Sequence, residues 1–220
     1  MLFDVNETLS DLAPLRARFE EAGAPGHLLA TWFAGVLRDG IALTAAGGYA
    51  DFREVGEAGL RGLLAGPDIR CDDPGAAAAH VLDGFGDLDV HPDVREGIPA
   101  LHAAGLRLAT LTNGSTATTD GLVSRAGLGG CFEAHLDVSA PRAWKPAAAA
   151  YRYATDLLGV APAETLLVAV HPWDIDGARR AGLQAAWLSR SATGYPAVMS
   201  APNHTASDLR ELARLFAGNR

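Results

Sequence analysis

The chain has little of what marks several whole classes of protein. Its two cysteines, Cys71 and Cys131, stand far apart with no metal-like spacing near either, so neither a disulfide framework nor a zinc ribbon is encoded. Charged residues make up 20%, and they balance to a formal net charge of -8 with no basic cluster interrupting it. That balance argues against a nucleic-acid backbone or an acidic membrane surface as partner. No signal-peptide pattern opens the chain, and its apolar stretches are broken by Gly, His or Arg before bilayer length. A reducing cytoplasm is the expected compartment. Hydrophobic residues make up 49% of the 220, enough for one packed domain, or for a core domain carrying an insertion.

Strand patterns are also missing from the first part of the chain. Helical spacing predicts a helix from Leu15 to Ala22, with Asp11 as its N-cap and Pro14 in the first turn. It predicts further helices over His27 to Leu43, Tyr49 to Leu64 and Pro74 to Phe85. Nothing between residues 11 and 90 alternates like a strand.

Beyond that block the pattern changes. Helices are expected over Asp93 to Ala104, Thr116 to Ala126, Pro146 to Leu158, Trp173 to Ala181 and Leu209 to Phe216. Between them lie strand candidates at Leu106 to Leu111, Phe132 to Val138, Thr165 to Val170 and Leu183 to Leu188. Strands alternating with helices mean a parallel α/β sheet. The first strand ends at Asp4 after only three residues, and the helical block separates it from the next. The expectation is a Rossmann-like parallel sheet core flanked by helices, over residues 1–12 and 92–220. An inserted all-helical cap domain is expected over residues 13–91.

Four strand ends carry polar residues: Asp4 with Thr8, the run Thr112-Asn113-Gly114-Ser115, Lys145 before Pro146, and His171-Pro172-Trp173-Asp174. Active groups of such sheets gather at the carboxyl ends of the strands. A nucleophilic carboxylate needs a cation beside it, which Lys145 supplies, and donors for developing charge, which the Thr112–Ser115 run supplies. Asp174 is a second carboxylate for orienting or activating water. Each also has an ordinary structural role, as helix cap, turn residue or solvated lysine. The ordered set of four favours chemistry.

That ordered set resembles the haloacid dehalogenase superfamily of aspartyl-nucleophile hydrolases over nearly the whole chain. Phe3-Asp4-Val5-Asn6-Glu7-Thr8-Leu9 resembles its first motif, Leu111 to Ser115 its second, Lys145-Pro146 its third and Val168 to Asp174 its fourth. Phosphatases of the superfamily carry a second Asp where this chain has Asn6, and a Mg²⁺-binding Asp where it has Val170. The thin set of oxygen ligands disfavours a metal. The chain is closer to the type II (S)-2-haloacid dehalogenases, which need no metal or cofactor. Tyr151 stands six residues after Lys145 as in that group, and Trp173-Asp174 is followed by Gly177-Ala178-Arg179. A Thr31-Trp32 pair and Tyr49 to Phe52 resemble its cap.

The resemblance implies that Asp4 attacks C2 of a small 2-substituted carboxylate, and that water hydrolyses the aspartyl ester to a 2-hydroxy acid. Lys145 is then expected to hold Asp4, with Thr8 and Asp174 placing the water. Thr112, Asn113 and Ser115 are expected to receive the substrate carboxylate or halide, and Asn6, Tyr151, Trp173 and Trp32 to line the site. Trp32 reads equally as cap core. A homodimer is common in the family, although no exposed stripe marks an interface here. Two departures stand out. The halide-accepting Arg of the family is Ala34 here, with Arg38 one helical turn on as a substitute of uncertain register. The fourth motif has His171 in place of Asn, either as a general base or as a hydrogen-bonded replacement for the amide. These departures leave open opening of the azetidine-2-carboxylate ring, a phosphatase, or a catalytically idle binding protein.

Overall fold

The computed structural model describes residues 1–67, 69–190 and 194–217. Contacts divide the chain into two compact units, one of Met1–Ser10 with Asp89–Arg220 and one of Asp11–Leu88.

The first unit is built on a six-stranded sheet. Its strands are β1 (Leu2–Phe3), β2 (Ala109–Thr112), β3 (Ala134–Asp137), β4 (Leu166–Ala169), β5 (Gln184–Leu188) and β6 (His204–Ala206). All are parallel, in the order β3-β2-β1-β4-β5-β6. β1, β2 and β4 are buried along their whole length, as a parallel sheet covered on both faces requires. That burial is why two residues suffice for β1. Leu2 and Phe3 pair on one side with β2 and on the other with β4, and the Asp4 amide extends the ladder to Val168 O at 3.0 Å. Strand order reverses at β1, so the crevice at its carboxyl end is where a sheet of this kind receives a ligand.

Helices α5 (Val94–Ala103), α6 (Thr116–Arg125), α7 (Ala148–Leu158), α8 (Pro172–Arg180) and α9 (Leu209–Ala217) belong to this unit. The strands are shorter than their apolar runs, because Leu106 to Leu108 lead into β2 and Thr165 and Val170 flank β4. β6 lies where the sequence reads as loop. It is a three-residue edge strand in which only Ala206 is buried, too short and too polar to carry a periodic signal.

The second unit holds α1 (Leu15–Glu21), α2 (Leu28–Ala45), α3 (Phe52–Leu64) and α4 (Pro74–Asp83), with no strand among the described residues. α3 begins later than Tyr49 because Asp51 and Glu54 form a reciprocal capping box, with bonds of 2.8 and 2.9 Å. Asp11 does not cap α1. Its carboxylate accepts from Ala13 N at 2.9 Å, and the helix starts at Leu15. α2 is, against expectation, long and apolar enough to cross a bilayer by length and composition. One face of it, Leu29, Trp32, Phe33 and Val36, is buried.

In the α/β unit, α5 and α9 meet across Gly97. A Cβ built there comes within 2.5 Å of Leu209 Cβ and 2.8 Å of its carbonyl carbon, so the approach depends on the missing side chain. Gly97→Ala is expected to lower unfolding free energy by about 1–3 kcal/mol, read from the denaturant midpoint.

Candidate active site

The site begins with the turn after β1. Val5 O accepts from Leu9 N at 2.8 Å and from Ser10 N at 3.0 Å, which folds residues 5–10 back towards the strand end. Thr8 returns to Asp4, and its Oγ1 donates to Asp4 Oδ2 at 2.7 Å. The same oxygen accepts from Val170 N at 3.1 Å, which fixes the hydroxyl proton on Asp4. Thr8 O is held in turn by Arg190, paired with buried Asp93 at 2.7 and 3.0 Å.

Lys145 enters from the loop between β3 and α7 and is fully buried. Its Nζ lies 2.9 Å from Asp4 Oδ1 and 2.6 Å from Asp174 Oδ2, a bridge between two carboxylates. The backbone of Lys145 is clamped at two points by Asn113, which accepts from Lys145 N at 2.8 Å and donates to Lys145 O at 3.2 Å. Tyr151 OH donates to Asp174 Oδ1 at 2.5 Å. α8 approaches this cluster closely because residue 177 is glycine. An added Cβ would sit 2.4 Å from Pro146 Cβ and 2.7 Å from Tyr151 OH. The glycine of the Gly177-Ala178-Arg179 run thus has a steric cause.

His171, at the start of α8, stands over the other side of Asp4. Its Nδ1 is 3.1 Å from Asp4 Oδ2, and its Nε2 is 2.8 Å from Glu7 Oε2. Trp173 stacks on the ring at 5.1 Å between centroids.

Burial alone would raise the Asp4 carboxyl, but Lys145 and His171 overcome it and hold Asp4 well below the usual carboxylate range. Burial works against the charge of Lys145 too, and Asp174 and Asp4 together raise its ammonium above the ordinary value. Asp174 is pushed up, by burial first, with Lys145 pulling the other way. Burial would lower His171, yet its bonds to Asp4 and Glu7 carry it up to about 9. With a carboxylate facing each ring nitrogen, the ring is placed to donate at both. The hydrogen-bonded reading of His171 is the one this geometry fits.

Several expected substrate contacts have other work. Asn113 holds Lys145. Thr112 Oγ1 accepts from Gly114 N at 2.9 Å and shapes the turn. Tyr151 is buried on Asp174 and reaches no open surface. Asp174 is itself fully buried, with one oxygen on Lys145 and the other on Tyr151. Ser115 is exposed and caps α6 through Thr118 N at 3.2 Å. Asn6 and Trp173 remain partly exposed.

In the helical unit, Trp32 is core. Its indole donates to Gly56 O at 3.0 Å and its ring packs against Phe19, Phe33 and Phe85. Arg38 is an exposed surface residue bonded through two nitrogens to Asp39, at 2.7 and 3.0 Å. One further signal is present in the sequence, since Lys145 is the only lysine in the chain. Glu7 is beyond sequence reasoning, because its partner His171 lies 164 residues away.

Comparison with known proteins matches this constellation. The family model for haloacid dehalogenase-like hydrolases matches residues 1–182. Haloacetate dehalogenase H-2 of Moraxella sp. (strain B) is 30% identical over 171 residues, covering 78% of this chain and 75% of that protein. An (S)-2-haloacid dehalogenase of Pseudomonas sp. (strain YL) is 28% identical over 97% of this chain and 92% of its own length. The structure of L-2-haloacid dehalogenase from Xanthobacter autotrophicus superposes with a TM-score of 0.88 at 26% identity, covering 100% of this chain and 98% of that one. The same enzyme is also known with chloropropionic acid covalently bound. The strand-end residues Asp4, Thr112–Ser115, Lys145 and Asp174 and the match over residues 1–182 lead to one conclusion: the chain belongs to the haloacid dehalogenase-like hydrolase family.

Proposed function

We propose that this hydrolase acts on small 2-haloacids, with Asp4 as nucleophile and the helical unit as a cap. The observation that carries the reading is the Asp4 carboxylate itself, ionised and held by a fully buried lysine at 2.9 Å. The named relatives support a halide over a ring amine or a phosphate as leaving group.

A carboxylate has about four lone-pair positions, two on each oxygen. Thr8 and His171 occupy both on Oδ2, whereas Lys145 takes one on Oδ1. Oδ1 therefore keeps the lone pair that attacks C2. The carbon–halogen bond breaks, halide leaves, and Oδ1 becomes the alkoxy oxygen of an aspartyl ester. Water then adds at Asp4 Cγ and the Cγ–Oδ1 bond breaks. One water proton ends on the departing Oδ1, now the product hydroxyl, and the other passes to solvent. Asn6, Ser115 and Trp173, which keep exposed surface, are the proposed contacts of the substrate carboxylate.

Chemistry around Asp4 suits a cation built into the chain. A hard metal ion wants several oxygen ligands, whereas here the nearest groups to the Asp4 oxygens include the nitrogens of Lys145 and His171. Among the described residues no group of three metal-ligating side chains gathers.

Halide release from (S)-2-chloropropionate, unaffected by a chelator, is the expected result of an ion-selective assay. Absence of release from either enantiomer, with or without Mg²⁺, would overturn the reading. Lys145→Met should lower kcat by about 10²–10³-fold. By leaving buried Asp174 without its cation and Asp4 with His171 alone, it should also cost about 3–5 kcal/mol in denaturant unfolding. Tyr151→Phe removes one donor from Asp174 and shifts Lys145 only indirectly. It should lower kcat by up to about 10²-fold with KM nearly unchanged in steady-state kinetics.

A further inference from the structure

Asp4 Oδ2 is addressed by two donors at once, the Thr8 hydroxyl at 2.7 Å and His171 Nδ1 at 3.1 Å. Two preorganised donors on one oxygen form the arrangement that stabilises a tetrahedral oxyanion. The ring's protonation follows from its partners. Nδ1 faces one carboxylate and Nε2 faces another, and ionised carboxylates only accept, so both ring nitrogens carry hydrogen.

We infer that His171 is a catalytic donor to Asp4 Oδ2 during hydrolysis of the aspartyl ester, and that Glu7 is the positioning residue that holds it there. The inference rests on the reading of Asp4 as the dehalogenating nucleophile. If Oδ1 attacks, Oδ2 is left as the carbonyl oxygen of the ester. Water adding at Cγ drives the carbonyl electron pair onto Oδ2, between Thr8 and His171. Collapse returns that pair, breaks Cγ–Oδ1 and restores the carboxylate.

Glu7 matters most at that second step. In the resting enzyme the imidazolium has two carboxylate partners. Esterification neutralises Asp4, and Glu7 is then the carboxylate that remains bonded to the ring, at the stage where the oxyanion needs it. Among the described residues, the charged groups around the ring include Asp4 and Glu7 directly, with Lys145 and Asp174 beyond Asp4. Thr8 and the stacked Trp173 are neutral.

The backbone is consistent with a residue held for a purpose. Glu7 has φ 63, in the left-handed region that non-glycine residues rarely adopt, and its carbonyl is fixed by His91 Nε2 at 3.0 Å. Its carboxylate is half exposed, so replacing it leaves no cavity in the core.

The test is a pre-steady-state assay on (S)-2-chloropropionate, with halide release and the intact mass of the protein followed together. The unaltered chain should turn over with little ester present. Glu7→Gln should release about one halide per enzyme at close to the original rate, then turn over about 10–100-fold more slowly while the ester accumulates. His171→Gln should show the same burst and block, with circular dichroism reporting its fold. The alkaline limb of turnover should lie at lower pH in Glu7→Gln, because a cation with one carboxylate fewer loses its proton earlier as pH rises. Glu7→Gln with unchanged turnover and pH profile, or with burst and turnover slowed equally, would overturn the inference alone. No halide from the unaltered chain would overturn the dehalogenase reading and the inference with it.

Discussion

The structure of the site depends on one ammonium group with no access to water. Lys145 is fully buried, and an uncompensated buried charge is costly, so its position is tolerable only with Asp4 and Asp174 both within 3 Å. Much of the surrounding architecture serves that contact. Asn113 fixes the lysine backbone from the end of β2, Tyr151 of α7 occupies the far oxygen of Asp174, and Gly177 lets α8 approach near enough for Asp174 to reach. The result is a carboxylate, Asp4, held in its charged form by the fold itself.

Two cations divide the Asp4 carboxylate between them. Lys145 stands on Oδ1 and is sealed, while His171 stands on Oδ2 with its other nitrogen on a half-exposed glutamate. Their chemistry differs accordingly. A buried lysine between two acids is a permanent charge, whereas an imidazolium with a raised value of about 9 depends on its carboxylates for that charge. The dehalogenase motif pattern that the chain resembles has an Asn in place of His171 and an Arg in place of Ala34. Against that pattern, this chain has a titratable ring at position 171 and no Arg at position 34. Arg38, one helical turn on from Ala34, is tied to Asp39 on the helix surface.

Much of this was legible in the chain. The alternation of apolar runs with helical spacing gave the parallel sheet, and the polar residues at four strand ends gave the cluster of Asp4, Lys145 and the two turns. The roles of individual side chains were harder. Sequence places Asn113, Tyr151 and Asp174 near substrate because they share motifs with Asp4. Whether a side chain faces an opening or a neighbour is a matter of packing, and all three face neighbours. Trp32 was ambiguous for the same reason, and its indole bond to Gly56 O lies across two helices. Glu7 was invisible because its significance lies in a contact spanning most of the chain. β6 was missed because three edge residues are too few to show a period.

The account turns on which atom attacks carbon, and isotope transfer reads that directly. A single turnover of (S)-2-chloropropionate in ¹⁸O-water, with enzyme in excess, should place one ¹⁸O in the peptide containing Asp4 and none in the hydroxyl of the product. Label in the product with none in Asp4 would mean that water attacks C2 itself, and would contradict the nucleophile assigned here.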